Sequence, residues 1–215
     1  IQAAMLATGG GDKVVNVIRE VGDVSLRSLN QAGDAYGMFT DAGGQVMAST
    51  NTNASNLIRN AGEVELDVRG ANAYGMNAAA YYRNQVDGAE KVTLTATATG
   101  TTAVGMNALS GGRNQISGVT DAVTVSASGG TDVNTGIKAQ GTGTVSSYNV
   151  LGSLKDLTIA ASGSAGSDNT GLHAENLGWN QISGISGLTT ITASGGDNNT
   201  ALYTKSNSVN RLDLG

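Results

Sequence analysis

The residues able to do chemistry in this chain are few. His173 is the single histidine, set between Leu172 and Ala174, and there is no cysteine. Without a thiolate or a second imidazole no tetrahedral zinc set can be assembled, so no metal ligands are expected. Zero cysteine also excludes disulfides. A nucleophilic triad would need an acid and a hydroxyl converging on His173, and no spacing provides them. Strand alternation instead turns His173 outward, as a surface residue. Gly9-Gly10-Gly11-Asp12 has the composition of a glycine-rich calcium turn, but such turns act through repetition and this one occurs once. A polysaccharide lyase would need acids and a basic residue on one strand face. The acids Glu65, Asp67, Asp87 and Asp156 read as outward but not stacked. Arg83 and Arg113 are the basic candidates beside the longer loops. Trp179 and the Tyr81-Tyr82 pair offer flat faces for sugar rings or for loop packing at one corner. The expectation is no catalytic residue and no cofactor.

Composition points the same way. The 215 residues include 32 Gly, no Pro, 13% charged and 4% aromatic residues. That leaves too few large rings for an ordinary globular core, and too few charges for a disordered chain. The formal charge of −5 argues against nucleic acid or an anionic membrane as a partner. No apolar run approaches the roughly 20 residues of a spanning helix, so no membrane span is expected. Ile1 opens the chain without a basic-then-apolar leader, so a signal peptide is expected to lie outside this segment.

What must position these residues is a repeat. Three signatures recur in fixed order. The first is Asn-x-aliphatic: Asn16/Ile18, Asn56/Ile58, Asn84/Val86, Asn114/Ile116, Asn149/Leu151, Asn180/Ile182 and Asn210/Leu212. The second is an alternating run centred on Leu26, Leu66, Leu94, Val125, Ile159 and Ile191. The third is a small residue before an apolar one: Met38, Met76, Met106, Ile137, Leu172 and Leu202, each preceded by Gly or Ala. The common steps between signatures are 8, 13 and 9 residues, a turn of 30. Extra residues fall only after the third signature, in Thr40–Ser55 and Gly141–Tyr148. A solenoid tolerates insertion at an edge in this way.

Period-two alternation and β-branched residues assign strands, and the recurring glycines oppose helix. Three short strands per turn describe an all-β, three-sided parallel β-solenoid, one segment over 1–215 with about six to seven turns. Each signature then becomes an interior column of like residues, with Ala78, Ala108, Ala139 and Ala174 beside the third. The seven asparagines are expected to form a structural ladder, amide to amide, at a corner. Outward on the second strand, Thr93, Thr124, Thr158 and Thr190 form a column beside Thr95, Ser126, Ala160 and Thr192. Such a grid suits exposed strands and also resembles the ice-binding face of some solenoids.

The Asn column, the phrases Asn114-Gln115-Ile116-Ser117-Gly118 and Asn180-Gln181-Ile182-Ser183-Gly184, and the Thr/Ser/Gly texture make the chain resemble right-handed parallel β-helices. The likeness is to the passenger regions of bacterial autotransporters and other large surface exoproteins. It implies an extracellular or cell-surface structural rod, an adhesin stalk or filament subunit, with a host or cell-surface glycan or protein as possible partner. A polysaccharide-active lyase or hydrolase is the alternative, with an ice-binding solenoid behind it. Ala4-Met5-Leu6-Ala7 and Asn210–Gly215 read as incomplete turns, so end-to-end self-association or continuation in a longer chain is expected.

Overall fold

The computed structural model describes residues 2–8, 14–41 and 54–214; the Gly9–Asp12 turn and most of the Thr40–Ser55 insertion lie outside them. The chain is a parallel β-solenoid of about six turns, with no helix among the described residues and a turn of about 31 residues. In order the strands are β1 Gln2–Thr8, β2 Val14–Arg19, β3 Val24–Asp41, β4 Ala54–Ala79, β5 Arg83–Ala98, β6 Thr102–Leu109, β7 Arg113–Ser128, β8 Val133–Gln140, β9 Ser147–Ser162, β10 Asp168–Glu175, β11 Gly178–Ile185, β12 Thr189–Ser194, β13 Asn198–Lys205 and β14 Val209–Asp213.

Parallel pairing in register stacks them into three sides. The first side carries Ile18↔Ile58↔Val86↔Ile116↔Leu151↔Ile182↔Leu212. The second carries Leu26↔Leu66↔Leu94↔Val125↔Ile159↔Ile191. The third carries Met5↔Met38↔Met76↔Met106↔Ile137↔Leu172↔Leu202. In the middle turns these side chains are fully enclosed, while Ile18, Leu26, Ile191 and Leu212 are partly buried against them. Leu202, in the last turn, is 49% exposed. A smaller cluster of Ala35, Val68, Ala73, Ala96, Ala98, Ala103 and Ala127 fills the corner between the second and third sides.

Two local constraints set the shape. The chain leaves the first side through a left-handed residue four positions after each of the first six ladder asparagines: Glu20, Asn60, Gly88, Gly118, Ser153 and Gly184, with φ between 52° and 69°. L-residues adopt that conformation at a cost of roughly 1–2 kcal/mol, which glycine avoids. The repeated Asn-Gln-Ile-Ser-Gly phrase therefore ends on a glycine for a backbone reason. Across the interior, the third-signature glycines touch the second-side column. A Cβ on Gly105 would lie 2.3 Å from Val125 Cγ1, and one on Gly136 2.4 Å from Ile159 Cγ2. The thin cross-section depends on that close approach.

Two substitutions separate these constraints. Gly105→Val should destabilise the chain by about 1–3 kcal/mol through overpacking. Ser153→Gly should stabilise it by about 1 kcal/mol by relieving the left-handed residue. Unfolding midpoints in denaturant measure both, and a stable Gly105→Val protein would contradict the close-wall geometry.

Candidate functional site

The ladder asparagines occupy the corner between the third and first sides. Their side-chain amides bond in series: Asn16 Nδ2 donates to Asn56 Oδ1 at 2.8 Å, and the relay continues to Asn84, Asn114, Asn149, Asn180 and Asn210 at 2.8–3.0 Å. The second N–H is also used. Asn84 donates to Asn77 O, Asn114 to Asn107 O, Asn149 to Lys138 O and Asn180 to His173 O, at 2.7–2.8 Å. Each amide thus ties one turn to the next and the first side to the third, leaving no free donor for a ligand. Primary amides fill this column because each can donate and accept at once.

A second, shorter ladder went unseen in the sequence reading. Asn134 Nδ2 donates to Asn169 Oδ1 at 2.9 Å and Asn169 Nδ2 to Asn199 Oδ1 at 3.0 Å. These residues stack on Ala103, Ala73 and Ala35 of earlier turns, so an alanine column becomes an amide column midway along the rod. The signal was present as Asn-Thr-Gly/Ala-aliphatic at 134, 169 and 199.

On the outer surface the acids are individually engaged. Asp67 faces outward yet is buried, covered by Arg27 and Arg69, each at 3.2 Å. Asp87 meets Arg59 at 3.4 Å and accepts from Ser117 Oγ at 2.9 Å. Asp156 accepts from Leu188 N at 2.7 Å, and Glu65 from Ser25 Oγ at 3.3 Å. Among the described residues no three His, Cys, Asp or Glu gather as metal ligands. No helix there is long and apolar enough to cross a membrane. The depression beside the Gly141–Tyr148 insertion is lined by Gln140, Thr142, Asn176, Leu177, Ser206 and Asn207 with intervening glycines, none of them charged.

His173 faces outward but is largely covered. Its Nε2 lies 3.6 Å from Glu175 Oε2, longer than a hydrogen bond, and its ring is 4.7 Å from that of Tyr203. Lys138 Nζ reaches Glu175 from the preceding turn at 3.6 Å. Burial, then Lys138, pushes the His173 pKa below its ordinary value, and Glu175 only partly opposes them.

The aromatic corner differs from the sequence reading. Tyr82 is fully buried, because the left-handed pair Ala80-Tyr81 turns the chain and tucks the next side chain beneath it. The exposed partner of Trp179 is Tyr148, one turn away, at 6.3 Å between ring centroids. Register aligns both with the arginines: Arg83, Arg113, Tyr148 and Trp179 are successive members of one outward column. Beside it runs Gln85, Gln115, Val150 and Gln181. Bonds cross this face, with Arg113 Nη2 donating to Gln115 Oε1 at 3.2 Å and Gln115 Nε2 to Ser117 Oγ at 3.3 Å.

The hydroxyl grid lies on the second side. Thr93↔Thr124↔Thr158↔Thr190 and Thr95↔Ser126↔Ala160↔Thr192 are joined by a third column, Thr97↔Ser128↔Ser162↔Ser194. Comparison of the chain with protein-family models, with curated proteins and with solved structures yields no match in any of the three.

Asn114→Ala should cost about 2–4 kcal/mol, since it orphans a donor on Asn84 and an acceptor on Asn149 in a buried corner. Asn210→Ala, at the half-buried last rung, should cost under about 1 kcal/mol; chemical denaturation compares them. His173 resists protonation when folded, so its contribution is intact above the ordinary histidine pKa. Stability should fall as pH drops below about 6.5 toward the lower folded-state value. His173→Gln should flatten that slope, read as unfolding midpoints across pH 5–8.

Proposed function

We propose that this chain is a structural segment of an extracellular, cell-surface rod, in the manner of an adhesin or autotransporter passenger stalk. The observation that carries this reading is the continuous amide relay from Asn16 to Asn210. It runs through a core built of stacked identical positions. A relay of that kind stiffens a long object along its axis and prepares no reactive group.

The outer surface supports the same reading. Asp67, Asp87 and Asp156 are paired with arginine or bonded to backbone, and over strands β5, β7, β9 and β12 the second side is a hydroxyl grid. Such faces stay soluble without attracting polyanions through net charge. Such a rod extends by parallel strand pairing, either by continuation in a longer polypeptide or with a second copy stacked end to end. The proposed role is structural and not enzymatic: among the described residues Arg83 and Arg113 form no ion pair, and the depression beside the Gly141–Tyr148 insertion is lined by no acid.

The test is display and shape together. Antibodies to this segment should label intact producing cells, and electron microscopy of the native protein should show thin rods gaining about 4.8 Å per turn. Labelling that requires lysis, or compact particles in place of rods, would overturn the proposal.

A further inference from the structure

In the column Arg83–Arg113–Tyr148–Trp179, two exposed aromatic rings follow two adjacent arginines along one strip. Tyr148 and Trp179 are 39% and 38% exposed on adjacent turns, tilted 32° to one another. An apolar ring left in water on a rigid sheet is an open stacking face, because neither can retract into a filled core. Most basic side chains near acids are satisfied: Arg27, Arg59, Arg69, Lys91, Lys138, Lys155 and Arg211 each contact a carboxylate. Among the described residues, Arg83 and Arg113 have no such contact. They stand in adjacent turns, pressed together by backbone register.

That juxtaposition is unfavourable in the free protein. Arg113 Nε is buried with no hydrogen-bond partner. Its guanidinium pKa is pushed down by burial first and by Arg83 second. An anionic group placed against the two guanidiniums would relieve the repulsion between them. The Gln85 and Gln115 amides, one column over, can both donate and accept, which matches hydroxyl groups rather than further charge. Arg83 and Gln85 also line a shallow depression of about 210 Å³ with Ser55, Asn56 and Leu57. The four side chains span three turn steps, roughly 14 Å along the axis.

We infer that this column is a binding strip for an acidic polysaccharide. The guanidiniums of Arg83 and Arg113 hold a carboxylate or sulfate, and Tyr148 and Trp179 stack on the sugar rings that follow. A nucleic acid strand would also meet arginine and rings, but its closely spaced phosphates would face only two cations on a chain of net charge −5. A sparsely charged glycan, rich in hydroxyls, fits the glutamine column. The inference rests on the surface-rod reading for access to such a polymer, while the binding itself does not depend on it.

The purified chain should therefore bind polygalacturonate or heparin, and bind neutral dextran much more weakly, in titration calorimetry at low salt. Polygalacturonate presents carboxylates and heparin chiefly sulfates, so their ranking identifies the anion. Arg83→Gln with Arg113→Gln should weaken binding about tenfold or more, and Trp179→Ala roughly fivefold. Lys155→Gln, on another side of the rod, should leave it unchanged. Matching dichroism and unfolding midpoints for the variants exclude misfolding. No binding to either polymer overturns the inference. So does binding that ignores Trp179, which would be a bare charge contact, or equal affinity for oligothymidylate. These results concern the purified strip, so they are separable from surface display, which cell labelling decides independently.

Discussion

Parallel stacking in register imposes one rule on every residue of this chain: a side chain meets its own equivalent on the turn above and the turn below. Apolar residues obey it easily, and the three interior columns are the outcome. Polar residues pointing inward obey it only if a group can bond to a copy of itself. Primary amides can, donating from Nδ2 and accepting at Oδ1 with a second N–H left for the wall opposite. The long ladder from Asn16 to Asn210 and the short one through Asn134, Asn169 and Asn199 are two solutions to the same problem.

The same rule explains the thin cross-section. The third-signature glycines let the second side approach until Cγ atoms fill the space of a missing Cβ. Medium-sized aliphatics and methionine then close the interior without large rings. Aromatic rings accordingly lie outside the three interior columns, as in the stacked Tyr36–Tyr74 pair and the exposed Tyr148–Trp179 pair. Stacking that builds a core also builds an exterior with columns, and columns of unlike function can succeed one another along the axis.

On the outside, stacking does not discriminate between favourable and unfavourable neighbours. Arg27 and Asp67 meet across one step, and so do Arg59 and Asp87. Arg83 and Arg113 meet as well, although they repel. Where register brings opposite charges together they compensate each other. Where it brings like charges beside exposed rings, the repulsion and the open ring faces stay uncompensated.

The sequence by itself determined the β-solenoid class, the turn near thirty residues, and which residue follows which in each column. It could do so because backbone pairing at a fixed period converts linear spacing directly into neighbourhood. It also located the longer amide ladder, since Asn-x-aliphatic survives every change in turn length. Only the tertiary structure decided what each neighbourhood contains. The second ladder was obscured because its column begins as alanine. Burial of Tyr82 follows from two left-handed residues whose φ values no composition reveals. Asp67 lies inside a pair of arginines although alternation turns it outward. The Tyr148–Trp179 pair depends on how the chain re-enters the first side after the Gly141–Tyr148 insertion. Register after an insertion is set by hydrogen bonding to the turn below, not by counting along the chain, and that is why the exposed strip became legible only in three dimensions.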